Sequence, residues 1–270
     1  SLDYVPCRYG ESRLLFRGPR RKLDGDYVAV LGGTETYGKY IEVPFPQLVE
    51  EQLGMAVVNF GLLNAGVDAF LNDQTIIKAA RDAQITIIQV TGAQNNSNRL
   101  YQVHPRRNDR FVKPSKLMQQ MYRELDFTDY HFTRHLLQAV RKKAPDRYAF
   151  LCEELRQAWV ARMTSLLQRI GGEIILLWLS DHAPDEDVGE RDPLLITRQM
   201  IEDVRPLVGE IVEVVEQDSV GSGLPSQEGF MMGELDSLSV GRMLFSDAHE
   251  RAAERLVSQL RPMLEKQRPA

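Results

Sequence analysis

Several features that define large protein classes are scarce or missing in this sequence. The 270 residues include only two cysteines, Cys7 and Cys152, which is too few for a disulfide scaffold or a zinc site built on thiolates. No run of about 18 apolar residues occurs, so no transmembrane helix is predicted. The first residues lack the basic-then-apolar pattern of a secretory signal. We therefore predict a cytoplasmic protein with no membrane partner.

An excess of basic residues is also missing. Lys and Arg number 33 against 38 Asp and Glu, giving a formal net charge of −5. A mildly acidic chain is a poor general nucleic-acid binder, so no nucleic-acid partner is predicted. The chain has no Gly-x-x-x-x-Gly-Lys-Ser/Thr loop, which argues against a P-loop enzyme, and we predict no cofactor. Its 43% hydrophobic and 26% charged residues are typical of a packed globular domain.

What the sequence does contain is a series of short apolar runs separated by helical segments. The runs are rich in Val and Ile and mostly lack alternation, which is typical of parallel strands covered on both faces. They span Tyr27–Leu31, Ala56–Phe60, Ile85–Val90, Glu173–Leu179 and Glu210–Val215. Strand–helix alternation predicts an α/β fold, a three-layer doubly wound sheet of about five parallel strands. We assign residues 1–270 to a single domain.

Residues 112–170 form a helical insertion between the third and fourth predicted strands. Apolar side chains recur there at helical spacing, including Leu117, Met121, Leu155 and Trp159. One interpretation is that this stripe packs on the sheet. The other is that it forms a lid over a site or the contact face of a homo-oligomer.

Small and polar residues follow the predicted strands, in segments 32–38, 61–66, 91–98 and 180–182. In an open parallel sheet, ligands bind beyond the carboxyl ends of the strands. Glycines at this edge let backbone N–H groups approach a ligand, and helix N-termini there can hold an anion. Turn formation alone is the competing explanation for each loop.

The five histidines are few enough to be compared one by one. His249 follows Asp247 at the start of the last predicted helix, where a carboxylate can orient an imidazole as a base. An aspartate that caps the helix beside an incidental histidine is the alternative. His182, at the end of the fourth strand, is the reserve base. His131 and His135 share a helix face, but no third ligand is patterned nearby, so we predict no metal site.

Four of these segments, taken in order, resemble the conserved blocks of the SGNH/GDSL hydrolase superfamily, which contains esterases, lipases and carbohydrate acyl-transfer or deacetylation enzymes. They are Gly-Gly-Thr-Glu-Thr-Tyr-Gly at 32–38, Asn-Phe-Gly leading to Asn-Ala-Gly within 59–66, Gly-Ala-Gln-Asn-Asn at 92–96 and Asp-Ala-His at 247–249. The resemblance covers about residues 26–100 and 172–266. It implies the same α/β fold and leaves the helical insertion outside it.

The resemblance also implies a catalytic arrangement, with departures from the family pattern. Thr34 stands where the family has its nucleophilic serine, and Gly33 replaces the neighbouring aspartate. The extra methyl of threonine restricts χ1 and crowds attack. By this resemblance, Asp247 orients His249, and His249 takes the proton from Thr34 as its hydroxyl attacks an ester carbonyl.

The family's oxyanion-binding groups carry over to backbone N–H groups and amide side chains in the same blocks. The implied oxyanion and binding set comprises Gly33, the Thr34 N–H, the Gly61 N–H and the side chain of Asn95 or Asn96. The function implied is a divergent ester hydrolase, O-acyltransferase or deacetylase acting on a carbohydrate or other small ester.

Arginines follow the third block, at Arg106, Arg107 and Arg110. Arginine suits bidentate capture of carboxylate, sulfate or phosphate, so these residues predict an anionic substrate; a solvated loop paired with Asp109 and other acids is the alternative. Two other functions stay open. A catalytically silent binding protein is favoured by the missing serine and aspartate, and a sulfuryl or phosphoryl transferase would use the three arginines. Whether the chain is an enzyme is therefore left open at this point.

Overall fold

A computed structural model gives the structure of residues 2–186, 188–217 and 246–270. Its centre is a sheet of five parallel strands in the order β2-β1-β3-β6-β7, with an antiparallel pair, β4 and β5, beside it. The strands are β1 Tyr27–Gly32, β2 Ala56–Gly61, β3 Ile85–Gln89, β4 Tyr101–Val103, β5 Phe111–Pro114, β6 Ile174–Ser180 and β7 Glu210–Val215. Each of the five predicted runs forms one strand of the parallel sheet, which confirms the predicted α/β class.

The helices lie on both faces of this sheet. They are α1 Thr34–Tyr37, α2 Phe45–Leu53, α3 Val67–Leu71, α4 Gln74–Asp82, α5 Lys116–Met121, α6 Thr133–Lys143, α7 Tyr148–Ile170, α8 Arg198–Val204 and α9 Ser246–Gln267. From β1 the chain moves outward to β2 and then returns to β3 on the other side of β1. The winding direction therefore reverses between β1 and β3, at the switch point where doubly wound sheets bind ligands.

Local signals in the sequence explain several helix ends. The Asp73 side chain accepts a hydrogen bond from the Ile76 N–H at 3.0 Å and caps α4, and Ser115 caps α5 in the same way at 3.2 Å. Such caps satisfy backbone donors that a helix start leaves unpaired. Helix α2 begins after Pro44 and ends at Gly54, whose φ of 68° is left-handed, as expected for a glycine C-cap.

Two apolar clusters, one on each face, hold the sheet between the helices. On one face, α2 and α9 cover strand residues such as Val30 and Ile87. On the other face, Trp159 of α7 packs in the same cluster as Ile88 and Trp178. Much of the predicted 112–170 insertion is therefore packed into the core. A contact between copies of the chain through this segment stays a prediction.

Within the described ranges, no helix is long and apolar enough to cross a membrane.

The β4–β5 hairpin carries the loop of residues 104–110, and the backbone of Arg110 forms a β-bridge with Phe132 just before α6. The start of α6 is thereby tied to the hairpin.

Candidate functional site

A cavity of about 720 Å³ opens at the carboxyl ends of β1, β3 and β6, at the switch point of the sheet. Its wall is built from the loops after β1, β2, β3 and β6, from the first turns of α6 and from residues 190–193. The sequence predicted a site at this edge of the sheet. The insertion contributes to it through α6, which the resemblance to the hydrolase family did not cover.

Thr34 is a partly exposed residue of this wall and begins the short helix α1. Its hydroxyl accepts a hydrogen bond from the Asn64 N–H at 2.9 Å and lies 3.5 Å from Asn64 Oδ1. In the ranges that the structure describes, no imidazole or carboxylate hydrogen-bonds to this hydroxyl. Thr34 is therefore placed where a nucleophile would be, but the predicted base is not beside it.

The predicted base, His249, lies in the core instead. It and Asp247 both belong to the first turn of α9, and side chains two positions apart on a helix do not face each other. Asp247 is exposed, whereas His249 is only 1% exposed and its Nδ1 accepts the Phe45 N–H at 3.0 Å. Burial, with a smaller effect from Arg17, lowers the pKa of His249 to about 3. His249 thus stays neutral where α9 packs against α2. It does not line the cavity that Thr34 lines.

The predicted glycine donors serve to build the wall of the cavity. The Gly33 N–H donates to Gln89 Oε1 at 3.0 Å, and the Gly61 N–H donates to Asn59 Oδ1 at 2.8 Å. Gly33 lines the cavity, but Gly61 does not. Because the amide side chains occupy both N–H groups, neither is available to an oxyanion in this arrangement.

The two predicted asparagines differ in their placement. Asn95 lines the cavity; its Nδ2 donates to the Asn64 carbonyl at 3.0 Å, and its Oδ1 accepts from the Thr133 hydroxyl at 2.6 Å. One of its two amide protons is left for a ligand. Asn96 is fully buried, lies outside the cavity lining and accepts from the Asp68 N–H at 3.2 Å. Asn96 is therefore part of the scaffold.

The three predicted anion-binding arginines do not line this cavity. Arg106 borders a separate cavity of about 300 Å³, Arg107 is exposed, and the Arg110 guanidinium lies over the Phe132 ring, 5.5 Å from its centroid. His104 Nδ1 accepts the N–H groups of Arg106 and Arg107, each at 3.2 Å, which folds the loop into a tight turn. The hairpin turn therefore separates the arginines that are adjacent in the sequence.

The reserve base, His182, is buried behind the wall. Its Nδ1 lies 3.0 Å from Ser180 Oγ and 2.7 Å from Asp181 Oδ1. A Ser-His-Asp relay needs the hydroxyl and the carboxylate on different ring nitrogens, and here both contact the same one. Ser180 and Asp181 line the cavity, but His182 does not. The cluster fixes the end of β6 and is not arranged as a triad.

Glu35 is a functional candidate that the sequence reasoning missed. Its half-buried carboxyl lines the cavity, and Oε2 accepts from Gln89 Nε2 at 2.8 Å. Burial raises the pKa of Glu35 above its ordinary value, the bond from Gln89 opposes the rise and nearby Asp192 adds to it. In the sequence, the feature that could have pointed to Glu35 was its position directly after Thr34 in segment 32–38. A carboxyl of perturbed pKa in a cavity is a recognised mark of acid–base sites.

Ion pairs order the remaining charged side chains of the cavity. Arg134 Nη2 lies 2.5 Å from Asp192 Oδ1, and Arg191 Nη2 lies 2.6 Å from Asp181 Oδ2.

Asp109 is another acid of the cavity wall. Burial raises its pKa, and the nearby Arg107 opposes that rise. In the part of the chain described, no group of three His, Cys, Asp or Glu side chains is placed to hold a metal ion. The polar groups of this cavity suit a ligand that offers several hydrogen bonds.

Three solved structures show a distant structural likeness to this chain. A lipase from a goat rumen metagenome is 15% identical, with 87% of this chain and 97% of the lipase covered and a TM-score of 0.45. A family two carbohydrate esterase from Clostridium thermocellum, in complex with cellohexaose, is 11% identical over 93% of this chain and 67% of that one, with a TM-score of 0.48. An acetyl-xylooligosaccharide esterase mutant from Geobacillus is 12% identical, with 88% of this chain and 94% of the esterase covered and a TM-score of 0.45.

Sequence comparison identifies the family of the chain itself. No curated protein matches it. A family model described as "Domain of unknown function (DUF6473)" matches residues 1–264. With nearly its whole length matched by that model, the chain belongs to the DUF6473 family.

Proposed function

We propose that this protein hydrolyses or transfers an acyl ester on a small polar substrate, such as a carbohydrate, bound in the switch-point cavity. Thr34 is the nucleophile, and Glu35 replaces histidine as the acid–base group. One observation carries the proposal: both residues line the same cavity at the carboxyl end of β1. Because consecutive side chains of a helix do not face each other, the proton passes between them through a water molecule. The burial of His249 in the core is the reason for assigning the base elsewhere.

The chemistry is acyl transfer in two steps. The Thr34 oxygen attacks the ester carbonyl, and its proton passes through a water molecule to the Glu35 carboxylate. Collapse of the tetrahedral intermediate then releases the alcohol, which takes that proton back along the same path. Water or a second alcohol attacks the acyl-threonine in the same way and frees the hydroxyl. A carboxyl whose pKa is raised by burial is a stronger base in its ionised form than an ordinary carboxyl is. The backbone N–H of Thr34 is the proposed oxyanion donor.

The test is hydrolysis of an aryl acetate by the wild type and matched variants. We expect Thr34→Ala to abolish turnover, Thr34→Ser to retain or increase it because the crowding methyl is removed, and Glu35→Gln to lower kcat by about 10²–10⁴-fold. His249→Asn, which keeps an acceptor near the Phe45 N–H, should leave the rate unchanged. Equal rates for the wild type and Thr34→Ala would overturn the proposal. Loss of activity in folded His249→Asn would return the base role to histidine.

A second candidate is a protein that binds the same class of ligand without acyl chemistry. It is favoured by the fact that both contacts of the Thr34 hydroxyl come from Asn64. In that case no variant hydrolyses any ester, while sugars still raise the melting temperature of the wild type. Ligand-dependent stabilisation without turnover would therefore favour this candidate over the enzyme.

A further inference from the structure

The mouth of the polar cavity carries two large apolar side chains that are exposed to solvent. Leu63, in the loop after β2, is 42% exposed, and Phe132, directly before α6, is 43% exposed; both line the cavity. Apolar and aromatic side chains beside a few polar groups are typical of the lining of ligand pockets. Phe150 is similarly exposed, at 39%, but lies outside the lining and provides a matched comparison.

Phe132 is anchored through its backbone and through one contact of its ring. Its backbone forms a β-bridge with Arg110, and its carbonyl accepts the Leu136 N–H of α6 at 3.0 Å. The Arg110 guanidinium lies 5.5 Å from the ring centroid and covers one face through a cation–π contact. With that face covered and 43% of the residue still exposed, accessible ring surface remains at the cavity mouth.

The interior of the cavity contrasts with this rim. Gln94 lines it and is 6% exposed, and its Oε1 has no hydrogen-bond partner in the described ranges. This oxygen is itself buried and packs against Gly92, so it is not a ligand contact in this arrangement. Asn95, with one amide proton left over, offers a donor in the same wall. The site therefore combines an aromatic surface outside with polar side chains inside.

We propose that Phe132 is a specificity-determining residue that stacks against a pyranose ring of the substrate. A pyranose has a C–H face that packs on an aromatic ring and an edge of hydroxyls that can meet Asn95 and the other polar side chains of the cavity wall. A plain acyl chain would offer these polar side chains no hydrogen bond. The inference deepens the proposed function and rests on it for the ester group, but the sugar contact itself is independent of any turnover.

Calorimetric titration with neutral pyranose trisaccharides (cellotriose, xylotriose and chitotriose) tests the contact without needing catalysis. We expect at least one to bind the wild type, Phe132→Ala and Phe132→Leu to weaken that binding about tenfold, the loss that 1.4 kcal/mol produces, and Phe132→Trp to restore it. Phe150→Ala should bind like the wild type. Absence of binding by all three sugars, or equal affinity for wild type and Phe132→Ala, would overturn the inference.

The outcome can be separated from that of the proposed function. Phe132-dependent sugar binding without ester hydrolysis supports this inference and contradicts the acyl chemistry. Thr34-dependent hydrolysis of an aryl acetate without Phe132-dependent sugar binding does the reverse. If both hold, Phe132→Ala should raise KM for an acetylated trisaccharide about tenfold with little change in kcat, because ring stacking is made equally in the ground and transition states.

Discussion

Acidification from about pH 7.5 to about pH 5 should weaken the fold through one buried side chain, His249, and replacing it by asparagine should remove that loss. The pKa of His249 is about 3 in the folded protein against an ordinary 6.5. Below the ordinary value the unfolded chain binds a proton that the folded chain does not, so the free energy of unfolding falls as the pH falls. The loss continues until the pH reaches the folded pKa.

The size of the effect follows from the interval between the pH and the ordinary pKa. At about pH 5 the unfolded imidazole lies about 1.5 units below its pKa, and each unit corresponds to about 1.36 kcal/mol. His249 should therefore remove about 2 kcal/mol of stability between the two conditions. Glu35 and Asp109, whose pKa values are raised by burial, contribute with the opposite sign, but they do so equally in both proteins.

Urea unfolding followed by tryptophan fluorescence measures this difference, because Trp159 and Trp178 are both fully buried. The wild type should lose about 2 kcal/mol more than His249→Asn on acidification. His131→Asn, which removes an exposed histidine, should behave like the wild type. The same pH dependence in wild type and His249→Asn would refute the reasoning, since the imidazole would then be solvated and free to titrate.

Three further substitutions test how the scaffold of the cavity is held. Gln89→Leu should lower the free energy of unfolding by about 1–3 kcal/mol for each buried donor that it leaves unpaired. Urea unfolding measures this loss. Gly66→Ala should lower the stability by about 3 kcal/mol, because a Cβ there would lie 2.0 Å from the Asn95 carbonyl oxygen; an unchanged melting temperature would contradict this. Arg162→Met should lower the free energy of unfolding by about 3–5 kcal/mol. It leaves the Asp68 carboxylate, which is 3% exposed, without the guanidinium that lies 2.6 Å away. The double variant that also carries Asp68→Asn should recover part of this loss.

The sheet could be predicted because its determinants are local. Each of the five strands is a short run of β-branched and apolar residues long enough to be recognised without its neighbours. Their parallel pairing follows from the helices between them, since a crossover returns the chain in the same direction. The Gly54 cap of α2 could be predicted for the same reason, because a left-handed cap position selects glycine within one turn.

The candidate site could be predicted only in part. Gly33, Thr34 and Asn95 do line the cavity, because loops that follow parallel strands share one edge of the sheet. Glu35 was missed because its perturbed pKa depends on burial, which is a property of the assembled wall and not of the block in which the residue occurs.

The sequence alone determined the α/β class, the strand order along the chain and the edge at which the cavity opens, since hydrophobic periodicity and strand-end glycines act over a few residues. Tertiary structure decided which side chains meet there. His249 is buried where α9 packs against α2, and helix geometry separates its side chain from Asp247. Phe132, by contrast, is brought from a distant segment to the cavity mouth by its bridge to Arg110. Contacts between residues far apart in the chain depend on packing that no local pattern contains.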